Sequence, residues 1–144
     1  MSQPDTSRRI LALAEVLHRW AARLMALDVV RRRKVARYAD EIAETLGRAA
    51  DASILLETDP GNRSANRTLV RELGRITGYL ETIVAVLRHH LDGRKLAGVK
   101  RRLEMLRPVS PLPPAFLPET ARSAADRLTA AEGYFRALAD ALRA

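Results

Sequence analysis

The sequence predicts an all-α fold, an up-down helical bundle of four long helices plus one short helix, in a single domain over residues 1–144. Three observations carry this. Leu, Ile, Val and Ala recur in alternating steps of three and four along most of the chain, the spacing of an apolar stripe on a helix. Hydrophobic residues make up 47% of the chain and aromatics only 4%, so the core is built from aliphatic side chains that helices accommodate well. Short breaker clusters separate the periodic stretches: Asp28, Pro60-Gly61, Asp92-Gly93, and the five prolines from Pro108 to Pro118.

Residues 1–5 read as a frayed lead, with Asp5 or Thr6 as the cap of the first helix. Its seam is Ile10, Leu13, Leu17, Trp20, Leu24 and Leu27, which puts Trp20 in the core. The second helix has the seam Val35, Ala39, Ile42, Leu46, Ala49, Ser53 and Leu56. Extending the first seam past Leu27 falls one residue out of step with the second, a rotation of roughly 100°. A break near 28–32 follows, with Asp28 as a cap; a bent continuous helix is the alternative. In the turn Thr58-Asp59-Pro60-Gly61-Asn62, proline presets φ, glycine supplies positive φ, and Asn62 or Ser64 caps the third helix.

The third helix, Arg63 to Leu91, carries the widest apolar face. Leu69, Leu73, Ile76, Leu80, Ile83 and Leu87 form its seam, with Val70, Thr77, Val84 and Leu91 beside them. A face that wide predicts the centre of the bundle. The short helix follows with Leu96, Val99, Leu103 and Leu106 and ends at Pro108. Residues 108–118 form a Pro-rich connector, extended and partly polyproline II. The last helix, about 119–143, has the seam Ala121, Ala124, Leu128, Ala131, Phe135, Leu138 and Leu142, whose alanines allow close packing.

Little in the chain suits catalysis. There is no cysteine, so thiol chemistry, disulfides and Cys-ligated metal are out. Glu15 and His18 make one E-x-x-H pair, but a di-metal bundle site needs two, and neither His89 nor His90 has a glutamate three residues before it. No zinc-protease, nucleophile-elbow or phosphate-loop motif occurs. The expectation is therefore no enzyme activity, no cofactor and no metal. No uncharged stretch reaches the ~20 residues of a membrane span, and the N-terminus lacks the apolar core of a signal peptide, which points to a cytoplasmic protein.

Charge is uneven. The net charge is +8, from 22 Arg and 3 Lys against 17 acidic residues. Residues 1–37 hold nine basic and three acidic groups; residues 38–60 hold one and six; residues 61–107 hold eleven and four; the remainder is balanced at four each. In an up-down bundle, Asp40, Glu41, Glu44, Asp51 and Glu57 face the row Arg63, Arg67, Arg71 and Arg75, which is then paired internally.

The opposite end lacks such compensation. It gathers Arg31, Arg32, Arg33, Lys34 and Arg37 with Arg88, Arg94, Lys95, Arg101 and Arg102, flanked by Arg19 and Arg23. Cations at the start of a helix oppose its dipole, a local cost that an anionic ligand would offset. Clustered arginine without aromatics for stacking predicts contact with a nucleic-acid backbone rather than with bases. Gly74 and Gly78 form a G-x-x-x-G on the third helix, each costing about 1 kcal/mol against alanine, which predicts a close helix approach inside the bundle or at an interface. The reading is a non-catalytic accessory subunit that binds nucleic-acid backbone through the basic pole. The alternative is a protein-interaction or oligomerisation module, possible as a homo-oligomer, whose pole meets an acidic protein. Anionic membrane lipid is a third candidate partner.

Overall fold

The computed structural model describes residues 4–87, Arg101 and 118–143. The described helices are α1 (Pro4–Arg19), α2 (Ala21–Leu24), α3 (Val29–Thr58), α4 (Arg63–Leu87) and α5 (Pro118–Arg143). This is an all-α bundle. The predicted short helix, the Asp92-Gly93 stop and nearly all of the Pro-rich connector lie outside the described residues, except that Arg101 is helical.

The first predicted helix is two helices. α1 begins at Pro4, ahead of both suggested caps, and proline is tolerated there because early helical N–H groups have no intrahelical acceptor. It buries Ile10, Leu13, Ala14 and Leu17 as the seam requires. The chain tightens at Trp20, whose N–H is shared between the carbonyls of Val16 (3.2 Å) and Leu17 (3.1 Å). Trp20 adopts φ −89° and ψ 7°, and α2 restarts after it. The indole is only half-buried against the core, not inside it, while Leu24 and Leu27 keep their buried places.

The break before α3 falls where the register shift predicts. Asp28 caps α3, its carboxylate accepting from the Arg31 N–H at 3.3 Å. That N–H, aided by the Arg31 guanidinium, holds the Asp28 carboxyl below the usual aspartate range. Such a group favours the folded turn above the ordinary aspartate pKa and loses that contribution as pH falls through its lowered value.

Among the described residues α3, not the third predicted helix, is the centre. It packs against α4 on one side and α5 on the other, and α5 carries α1 and α2; among the described residues no comparable contact joins α4 to α5 or to α1. The predicted seam from Val35 to Leu56 is buried throughout, and so are Ala36, Ala43 and Ala50 on one flank and Thr45 and Ala52 on the other. These small flanking residues let two neighbours approach, although they add little to an apolar pattern. α4 buries a narrower band, with Val70 44% exposed and Gly74 and Gly78 facing outward.

Contacts fix the directions. Arg48 of α3 meets Glu72 of α4, and Glu41 meets Tyr79, so α3 and α4 are antiparallel. Asp40 pairs with Arg143, and Gly47 lies beside Glu132, so α3 and α5 are antiparallel too. Ser7 meets Arg127 and His18 meets Tyr134, so α1 runs parallel to α5. At the α3–α4 turn, Asn62 is the cap, its side-chain oxygen accepting from the Ala65 N–H at 2.9 Å. The turn closes by Asn62 N–H to Asp59 carbonyl at 3.0 Å, without the positive φ expected of Gly61: no described glycine has one.

Candidate functional site

The start of α3 holds five of the predicted cations, Arg31, Arg32, Arg33, Lys34 and Arg37, and their angular positions sort them. At about 100° per residue, Arg33 and Arg37 share the solvent face, while Arg31 and Lys34 turn toward α4. An open groove of about 570 Å³ lies there, lined by Asp28, Val30, Arg31, Lys34, Thr82, Ala85 and Val86. The start of α3 therefore lies beside the end of α4, the juxtaposition that an up-down hairpin requires.

Their partners differ. Arg31 is tied to Asp28 at 3.0 Å with half of each side chain still exposed. Arg32 does not join the surface cluster: it is half-buried and reaches back to the Met25 carbonyl at 3.4 Å, so it braces the turn between α2 and α3. Arg33, Lys34 and Arg37 are exposed and, among the described residues, form no ion pair. The Arg37 guanidinium lies 5.5 Å from the Tyr38 ring centroid, a cation–π contact that leaves its charge uncompensated. Arg19 and Arg23 are exposed on α1 and α2. Arg101 is exposed; Arg88, Arg94, Lys95 and Arg102 lie outside the described residues, as do His89 and His90. Val29 and Val30, 47% and 75% exposed, sit at the tip ahead of the arginines, a feature no charge count reveals.

The predicted internal pairing of the α4 arginines needs correction. Four-residue spacing drifts by about 40° per step, so a row starting on the outer face at Arg63 reaches the α3 side only at Arg75. Arg75 lies 3.8 Å from Glu72 and donates to the Tyr79 hydroxyl at 3.1 Å, and Tyr79 donates onward to Glu41 at 3.4 Å. The Tyr79 contact is the main reason that the Arg75 pKa is raised. Arg63, Arg67 and Arg71 remain exposed, with no ion pair among the described residues. Asp40 turns instead to Arg143 of α5.

One buried carboxylate escaped the sequence reading. Glu72 is 4% exposed and accepts from Arg48 Nε at 2.9 Å. Its spacing is a usable signal, because it stands three residues after Leu69 and four before Ile76, beside Leu73 of the predicted seam.

The glycine pair also differs from expectation. A Cβ placed on Gly74 or Gly78 would meet nothing within 4 Å, so neither serves a close approach among the described residues. Glu15 and His18 are both exposed, and the His18 ring packs edgewise on Tyr134 of α5 at 5.4 Å. Among the described residues no group of three or more His, Asp or Glu is placed to hold a metal ion, and no helix is long and apolar enough to cross a membrane. No protein-family model matches this sequence, and no curated protein or solved structure is detectably similar to it.

Proposed function

We propose that the protein is a non-catalytic accessory subunit, acting in the cytoplasm, that binds nucleic-acid backbone through the basic pole at the start of α3. The observation that carries this reading is the set Arg33, Lys34 and Arg37: three exposed cations on two helical turns, none with a carboxylate partner among the described residues. Arg31, half-neutralised by Asp28, adds a fourth contact. Phosphates attract such a cluster whatever the base sequence, and each neutralised phosphate releases counterions, so binding is strongly salt-dependent.

The test is a salt titration of binding to generic RNA and single-stranded DNA by fluorescence anisotropy. Replacing Arg31, Arg33, Lys34 and Arg37 with Ala should lower the slope of log K against log[salt] by about 3 and weaken binding about 100-fold near physiological salt. Unchanged affinity in that variant, or no retention of either nucleic acid by the wild type at low salt, refutes the reading.

A second reading, a protein-interaction or oligomerisation module meeting an acidic partner, draws on Gly74 and Gly78, whose helical cost nothing among the described residues repays. It predicts a dimer or larger assembly in light scattering, with no nucleic-acid retention.

A further inference from the structure

We propose that the polyanion surface does not end at the pole but continues along the outer face of α4, with Arg63, Arg67 and Arg71 as its second half. This inference rests on the nucleic-acid reading and adds the path of the bound strand. Beyond the pole, the structure divides the arginines of the α3–α4 hairpin into two sets. Arg48 and Arg75 are engaged by Glu72. Arg63, Arg67 and Arg71 are exposed and form no ion pair among the described residues. They repeat at about 6 Å along the helix axis.

The same sector of α4, about 100° wide, then carries Gly74, Gly78, Thr82 and Ala85. A Cβ on either glycine would meet nothing within 4 Å, so no described side chain there obstructs a strand lying against the helix. Thr82 and Ala85 line the groove with Arg31 and Lys34, so the sector that carries the row runs into the pole across about 16 Å of helix surface after Arg71 that adds no cation to the row. Glu81, the one carboxylate on this sector of α4, is half-buried and already engaged within the molecule. On α3, Glu44 and Asp51 are exposed and repel phosphate from its middle turns, which directs the strand onto α4.

The path from Arg63 to Thr82 is about 28 Å, the length of about eight steps of a duplex strand. A short ligand fills the pole alone, and a longer one also reaches the row. The experiment compares the wild type with Arg63→Ala/Arg67→Ala/Arg71→Ala, using a hairpin duplex with a stem of about four base pairs and a linear duplex of about twelve across a salt series, with circular dichroism to confirm helicity. The triple variant should bind the short duplex like the wild type. On the long one it should lose roughly 10- to 100-fold in affinity and about 2–3 units of salt slope. An unchanged slope on the long duplex overturns the inference; if the pole variant still loses binding in that case, the function proposed above stands. A wild type that binds neither duplex at low salt, nor single-stranded DNA or RNA, overturns both.

Discussion

Replacing Phe135 with Ala should lower the unfolding free energy by about 3–5 kcal/mol. Phe135 is 1% exposed and heads the fully buried side chains by volume, on the helix that touches α1, α2 and α3. Its removal forfeits the transfer free energy of the ring and leaves a cavity that the surrounding aliphatic and alanine side chains fill only in part. Domains of this size are stable by about 5–15 kcal/mol, so the loss is a large share of the total. Urea denaturation followed at the helical signal measures it, with Val30→Ala as the comparison. Val30 is 75% exposed, and its truncation should change stability by no more than about 0.5 kcal/mol. Equal shifts in the two variants contradict the packing described for α5.

The second large effect concerns Glu72. Arg48→Met leaves a 4%-exposed carboxylate facing, among the described residues, only the Arg75 guanidinium 3.8 Å away. The cost should be about 1–3 kcal/mol, that of a buried acceptor losing its main donor. Glu72→Leu is expected to be nearly neutral, within about 1 kcal/mol, because Arg48 and Arg75 are each about half exposed, at 46% and 44%, and rehydrate freely once the carboxylate is gone. The double variant should recover most of what Arg48→Met loses. A double-mutant cycle by chemical denaturation reads this directly, and additive losses would show that the pair is uncoupled.

Much of the fold is legible in the sequence because its signals are local. The α3 seam, the register shift after Leu27 and the caps Asp28 and Asn62 each depend on a few neighbouring residues, and each is found in place. The central helix is harder to read, since it is defined by flanks rather than by a stripe. Ala36, Ala43 and Ala50 weigh little in a hydrophobic pattern, yet they give α5 its seat. The restart after Trp20 has no glycine or proline to announce it, and the turn at Gly61 closes with ordinary backbone angles.

The site is legible as a charge density but not as a geometry. That Arg33 and Arg37 face solvent follows from helical angle, whereas the inward reach of Arg32 depends on where the Met25 carbonyl falls across a turn. The freedom of Arg63, Arg67 and Arg71 was hidden for a similar reason. Counting charges by segment pairs opposite totals, while ion pairs form between side chains on facing sectors of two helices.

α1 meets the other long helices of the described structure through α5, at opposite ends of the chain: Ser7 and Arg127, joined by a 2.8 Å hydrogen bond, are 120 residues apart. The hairpin of α3 and α4, by contrast, closes over residues 59–62 alone. A nascent chain leaving the ribosome can zip that hairpin early, while its first helix waits until α5 has been made before it can pack on it. Pulsed hydrogen exchange during refolding should accordingly protect α3 and α4 amides before those of α1, and simultaneous protection would contradict this order of assembly.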